Sequence, residues 1–303
     1  MVVYTELSSI EQDLGYPTRT LYGLSNNITK HYHSVFIPKS DGTRRRLSVP
    51  VLILKNVQKA IADKILAYYP TSIYATAYKA GSSVQANARA HVRKKKILKL
   101  DIEGFFDSIT YSRVKETVFR KDKFSEPIRV LLTMLCYYRD SLPQGAPTSP
   151  AITNIIMYEF DEKIGAYCCS RGISYTRYCD DMTFSGDFDE GEIIDLVKDE
   201  LRGIGLFLKN RKTAVIKSEK RQTVTGIVVN EKINLTKEYK KKIRLQMHCI
   251  EKFGLESHAQ RLGISDTGAY LNSLKGRIAF VLQTCPANAE FKKYKCILQK
   301  ETK

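Results

Sequence analysis

Ile173-Ser174-Tyr175-Thr176-Arg177-Tyr178-Cys179-Asp180-Asp181-Met182-Thr183-Phe184-Ser185-Gly186 is a pair of short β-branched and aromatic runs joined at an acidic pair. Polar residues are interleaved on both sides, and two such runs read as a β-hairpin with the acids at its tip. Two carboxylates at a turn repel each other, so a fold keeps them there at low cost only where water or a cation offsets the repulsion. The rest of the chain decides whether this is a solvated turn or a site.

Working outward, the run at 97–103 is apolar and ends in acids, with Asp101 near its end and Gly104-Phe105-Phe106 directly after. A carboxylate at the end of a buried strand is costly to desolvate unless it is paired or metal-bound, which makes Asp101 a ligand candidate. Leu142-Pro143-Gln144-Gly145-Ala146-Pro147-Thr148-Ser149-Pro150 reads as a loop opening a helix over 151–164. Gly145 permits close backbone approach there, and the amides at the helix start suit an anion or a sugar. Upstream, 32–39 and 44–50 form a strand pair around Ser40-Asp41-Gly42-Thr43, presenting Lys39 and Arg44-Arg45-Arg46, side chains suited to phosphate. The spacing of Leu54, Val57, Ile61, Ile65 and Tyr68 predicts an amphipathic helix over 51–69, stopped by Pro70. An acidic helix is predicted over 190–202, and a strand pair ends at Val224-Thr225-Gly226-Ile227-Val228-Val229-Asn230.

Composition sets the bounds. The chain has 303 residues, 43% of them hydrophobic, enough for a sizeable core and for two or three subdomains. It lacks both a run of about 18 apolar residues and a basic-then-apolar leader, so a cytoplasmic location with no membrane association is expected. Seven cysteines, without a Cys-x-x-Cys pair, fit reduced thiols and argue against a zinc site or a disulfide framework. A net charge of +17 implies a polyanionic partner, nucleic acid before membrane. Between Lys209 and Lys252 there are 13 Lys and Arg against 4 Asp and Glu, so these 44 residues hold +9 of the total.

Laid end to end, strand, helix, acidic hairpin, helix and strand resemble a reverse transcriptase, and within that superfamily the bacterial retron reverse transcriptases. The resemblance covers about 36–230 and rests on three motifs in order: Asp101-Ile102-Glu103-Gly104-Phe105-Phe106, Leu142 to Pro150, and Tyr178-Cys179-Asp180-Asp181. Two further signatures, Asn87-Ala88-x-x-His91 and Val224-Thr225-Gly226, narrow it to retrons, where they are associated with recognition of the cognate noncoding RNA. Cys179 stands where the family more often has Ala; it is small and apolar enough to keep activity.

The resemblance implies an α+β right-hand polymerase: fingers over 1–100 with a helical lead-in, a ferredoxin-like palm over 101–230, and a helical, basic thumb over 231–303. It implies two Mg2+ ions, with Mn2+ as a substitute, on Asp101, Asp180 and Asp181, the first two bridging. Carboxylate oxygens suit such hard cations, and two-metal phosphoryl transfer needs them. By motif position, Phe106 lies under the sugar and excludes a 2'-hydroxyl, Gln144 contacts the incoming deoxynucleoside triphosphate, and Lys39 and Arg45 clamp its phosphates, with Arg46 as the alternative. Lys212 serves the departing pyrophosphate or the nucleic-acid backbone. RNA contacts are expected at Asn87, His91, Val224, Thr225 and Gly226. In the thumb, Lys240, Lys241 and Arg244 grip RNA from a basic, amphipathic helix. The implied function is copying of the chain's own structured RNA into single-stranded DNA, primed from an RNA 2'-hydroxyl to leave a branched RNA–DNA, in anti-phage defence with an effector protein and possible help from a host RNase H. The alternatives are another bacterial reverse transcriptase of group II intron type, or a non-catalytic RNA-binding scaffold.

Overall fold

The computed structural model describes residues 3–38 and 42–300, and the strands of the predicted acid-tipped hairpin are present. Two short helices, α1 (Leu7–Leu14) and α2 (Thr18–Asn26), lead into an antiparallel ribbon of β1 (Tyr32–Pro38) and β2 (Arg44–Pro50). Phe36 lies opposite Arg46 and Ile37 opposite Arg45. The next helix, α3 (Leu52–Lys64), buries Leu54, Val57 and Ile61, as its spacing predicts. It stops short of Tyr69: Leu66–Tyr68 tighten into a 3-10 turn, because the residue before Pro70 is pushed out of helical geometry. α4 (Val84–Arg89) starts at Ser83, whose hydroxyl accepts from the Ala86 N–H.

β3 (Lys96–Asp101) is the predicted buried strand, followed by α5 (Tyr111–Thr117) and α6 (Glu126–Cys136). The single helix expected over 151–164 is two, α7 (Ser149–Ile156) and α8 (Tyr158–Ser170), meeting at the buried Met157. The break lets Ile152 and Ile156 of one helix and Phe160 and Ile164 of the next reach the same core. β4 (Ser174–Tyr178) and β5 (Asp181–Gly186) are joined by Cys179 and Asp180 alone. α9 (Glu190–Gly203) begins at Asp189, which accepts from the Glu192 N–H, and β6 (Ala214–Lys217) follows. The remainder is β7 (Thr223–Val224), β8 (Ile227–Val228), β9 (Asn234–Leu235), then α10 (Lys237–Phe253), α11 (Leu255–Arg261), α12 (Thr267–Thr284) and α13 (Ala289–Lys300).

The fold is α+β. A four-stranded sheet runs in the order β4-β5-β3-β6 and a small antiparallel one in the order β7-β8-β9. Because β5 lies beside β3, the acidic turn is brought next to the strand that ends in Asp101. Compactness divides the chain into a unit of 1–82, 98–184 and 188–215 and a unit of 83–97, 185–187 and 216–303, each with its own apolar core. Among the described residues no helix is long and apolar enough to cross a membrane. The cysteines are free thiols.

Candidate active site

Asp101 is set by backbone pairing on both of its sides. The N–H of the next residue, Ile102, donates to Asp180 O at 3.1 Å, and the Lys209 N–H donates to Asp101 O at 2.8 Å. Strand pairing therefore ties the end of β3 directly to the acidic turn. The Asp101 side chain is buried, Asp180 is half-buried, and Asp181 opens to the surface at the start of β5.

Electrostatics confirm the crowding of these carboxylates. Burial, the Asp180 charge, a hydrogen bond with Asp101 and the Asp101 charge push the Asp181 carboxyl up to about 6, against the pull of Lys212. Asp181 keeps exposed surface yet loses enough hydration for its carboxyl to rise, and solvent screens part of the effect. Lys212, in a 3-10 turn at Asn210–Lys212, donates from Nζ to Asp101 Oδ2. Burial works against its charge, but the Asp101 bond and the nearby carboxylates hold its ammonium above the ordinary lysine range. Lys99, two residues before Asp101 on β3, is lowered by burial and supported by the Asp181 charge.

These groups line a cleft of about 820 Å3. Phe106, Gln144, Arg44, Arg45, Arg46, Tyr78, Arg139 and Lys209 line it as well. Phe106 stands edge-on to Phe105 at 5.6 Å between ring centres, and its carbonyl accepts from the Leu142 N–H at 3.1 Å. Gln144 is held against the β1–β2 ribbon because its carbonyl accepts from the Ser48 N–H at 2.9 Å. The neighbouring Gly145 has φ +131, and a Cβ there would lie 2.7 Å from Ser48 O, so only glycine fits. Arg46 Nε donates to Ser34 Oγ at 2.9 Å across the ribbon. Lys39, expected beside these arginines, lies outside the described residues.

Among the described residues no group of three or more His, Cys, Asp and Glu is arranged as a metal cage. The donor set is nonetheless all oxygen, and burial, with the neighbouring Asp180 and Asp101 carboxylates, raises the Asp181 carboxyl to about 6, a cost that a cation would offset. That chemistry fits Mg2+, which is held by one or two carboxylates with substrate phosphates and water completing its shell.

The expected RNA contacts fall in the second unit and differ in kind from the cleft. Asn87, His91 and Val224 are buried, so in this conformation their side chains offer RNA no surface. Asn87 Nδ2 donates to Thr225 Oγ1 at 3.4 Å, Thr225 Oγ1 donates to Val84 O at 3.3 Å, and His91 Nδ1 shares a 2.7 Å hydrogen bond with Ser185 Oγ. The two signatures are thus joined through Asn87 and Thr225, while His91 bonds to Ser185. Thr225 and Gly226, at φ +45 and +80, form the tight turn between β7 and β8, where paired positive φ values match the twist of a hairpin. On α10, Lys240 Nζ donates to Asn234 Oδ1, and Arg244 grips Glu290 through Nε and Nη2 at 2.7 and 2.8 Å; Lys241 is exposed.

Sequence reasoning missed the support beneath the acidic turn. Arg177 is fully buried and donates to Asp161, Asn154 and the Cys179 carbonyl. Burial opposes its charge, and Asp161 more than restores it. An arginine at an inward position of a β-branched run was the available signal.

One carboxylate from a strand end and two from an adjacent hairpin stand together in one cleft beside a basic ribbon, in an α+β chain of the right-hand polymerase class. The family model for reverse transcriptase (RNA-dependent DNA polymerase) matches residues 37–248. The retron Ec86 reverse transcriptase of Escherichia coli is 31% identical over 224 residues, covering 72% of this chain and 70% of that protein. Two Myxococcus xanthus proteins, the retron Mx65 and Mx162 reverse transcriptases, are 28% and 31% identical over 86% and 85% of this chain; the chain spans 63% and 58% of their lengths. The chain belongs to the reverse transcriptase family and, within it, to the bacterial retron reverse transcriptases. Among solved structures, apo telomerase from Candida tropicalis aligns with a TM-score of 0.48 at 14% identity over 73% of this chain and 61% of that one. The foamy viral protease–reverse transcriptase with double-stranded DNA aligns with a TM-score of 0.48 at 15% identity over 92% and 41%.

Proposed function

We propose that this chain is an RNA-directed DNA polymerase that copies a cognate structured noncoding RNA into single-stranded DNA, primed from an RNA 2'-hydroxyl to give a branched product. The observation that carries the reading is the convergence of Asp101 with Asp180 and Asp181 in one cleft that also holds Gln144, Phe106 and an arginine ribbon. Fingers over 1–100, a palm over 101–230 and a thumb over 231–303 are the corresponding roles.

Arg45 meets the triphosphate of a deoxynucleotide, with Lys39 as its expected partner, since guanidinium binds phosphate oxygens in pairs. Phe106 packs under the sugar and leaves no room for a 2'-hydroxyl. Gln144, fixed through its carbonyl to the ribbon, orients the nucleotide. Lys212 neutralises Asp101 and is the ammonium nearest the carboxylates, placed to donate to the leaving pyrophosphate. Asp101, Asp180 and Asp181 would hold two Mg2+ ions, or Mn2+ in their place, which when bound supply the charge that activates the attacking hydroxyl and stabilises the leaving group. The basic residues of 209–252 give the template RNA and its DNA product a surface for polyanions, and Lys241 is one of several exposed cations on α10. A cytoplasmic location, an effector protein, trimming by a host RNase H and a role in anti-phage defence complete the reading.

The test is to express the protein with its native flanking DNA, extract the bound nucleic acid, and treat it with RNase and with debranching enzyme before sequencing. A short DNA of fixed sequence joined to RNA by a 2',5' bond supports the proposal. Linear DNA alone removes the self-priming, and bare RNA removes copying under those conditions.

A further inference from the structure

A buried ion pair is weak evidence of stabilisation, because apolar residues of similar volume often do as well or better. Arg177 and Asp161 are such a pair, both wholly shielded from solvent, with Arg177 Nη2 2.6 Å from Asp161 Oδ2 and Nε 2.9 Å from Oδ1. Their geometry indicates a different use. Asp161, on α8, also accepts from the Tyr175 hydroxyl at 2.8 Å. Nη2 of Arg177 reaches Asn154 Oδ1 on α7 at 3.2 Å, and Asn154 in turn donates to Ala77 O at 3.0 Å. The one remaining arm, Nη1, donates at 2.9 Å to the carbonyl of Cys179, the first residue of the acidic turn.

That turn needs holding. Cys179 has φ +61, a left-handed conformation that costs a non-glycine residue about 1–2 kcal/mol. Its two peptide carbonyls are each tied: Cys179 O by the buried guanidinium and Asp180 O by the Ile102 N–H of the β3 end. Asp180 thus lies between two backbone ties, and Asp181 follows directly on the second. We infer that Arg177, anchored by Asp161 and Asn154, is a positioning residue that clamps the Cys179 carbonyl and so aims Asp180 and Asp181 at the cations of the polymerase reaction. The inference rests on the polymerase reading for its purpose, but its geometry concerns cation binding and can be read without catalysis.

The experiment compares wild type and Arg177→Lys as metal-free full-length protein. It measures Mn2+ affinity by calorimetry, the melting temperature, and extension of a DNA primer on an RNA template. Lysine keeps the charge opposite Asp161 but cannot fork to Asp161, Asn154 and Cys179 O together. The expected result is a melting temperature near wild type with Mn2+ affinity reduced about 10- to 100-fold, the loss usual for a group that orients ligands from behind. Extension falls in parallel and recovers in part at high Mn2+. Where the lysine variant fails to fold, the charge-neutral double variant Asp161→Asn/Arg177→Gln leaves no unpaired buried charge and is measured for the same loss. Wild-type Mn2+ affinity in the folded variants, or a wild-type protein that binds no Mn2+, overturns the inference. A wild type that binds Mn2+ in an Arg177-dependent way yet extends no primer leaves the clamp standing and removes the polymerase reading.

Discussion

Lys212 closes on the Asp101 carboxylate from a 3-10 turn 111 residues further along the chain, giving the most buried of the three acids a cation of the protein's own. Removing that ammonium leaves a buried carboxylate unpaired, which is costly. Lys212→Met is expected to lower the melting temperature of the metal-free protein and to have that loss largely restored by Mg2+. Its kcat on a primed RNA template is expected to fall about 10- to 100-fold. Thermal unfolding with and without Mg2+, beside steady-state extension, checks both.

Asp181 gives the site a pH dependence of definite sign. Its folded-state carboxyl titrates at about 6, above the ordinary value of 3.8, so the folded protein holds a proton that the unfolded chain has released. Stability of the metal-free protein therefore falls as pH rises between those two values and is level above them. Asp181→Asn removes that slope, so the variant is expected to melt above wild type at pH 7.5 and level with it at pH 3.5, the gap being small because the group stays open to solvent. Unfolding curves in chelator across that range decide it; a gap that widens toward low pH contradicts the assignment.

Gly145→Ala is expected to damage the cleft from behind. The added methyl would meet Ser48 O at 2.7 Å with the backbone already at φ +131. Overpacking against main chain costs about 1–3 kcal/mol, and the shift passes directly to Gln144. The expected outcome is a lower melting temperature together with a raised KM for deoxynucleotides, read from denaturation and from nucleotide titrations.

His91 has no exposed surface and is bonded to Ser185, so it is expected to act through the fold. His91→Ala should destabilise the protein by about 2–3 kcal/mol, from the cavity and the orphaned hydroxyl. Extension of a generic primed template and of the cognate RNA should then decline together. A selective loss on the cognate RNA at wild-type stability would show that the residue reaches RNA in some other conformation.

What was legible in the sequence was local. The β4–β5 hairpin, the β3 strand and the loop before α7 each carry their pattern within about ten residues, and strand order alone brings Asp101 to Asp180. The break at Met157 was not legible, because apolar positions continue through it in helical spacing. Nor was the Arg177 network, whose anchors lie 16 and 23 residues earlier on helices that read as ordinary amphipathic segments. In Val224-Thr225-Gly226 the glycine is the local signal of the turn between β7 and β8. The buried state of Asn87 and His91 depends on packing against distant elements, which no local pattern encodes.

DNA synthesis on an RNA template is the activity proposed for the cleft of Asp101, Asp180 and Asp181. The most direct measurement is incorporation of deoxynucleotides onto a DNA primer annealed to RNA, in Mg2+, by wild type and by Asp180→Asn at matched folding. Wild type is expected to extend the primer and the variant to lose about a thousandfold or more, since a charge placed for the transition state is removed. Equal extension by both proteins would contradict it.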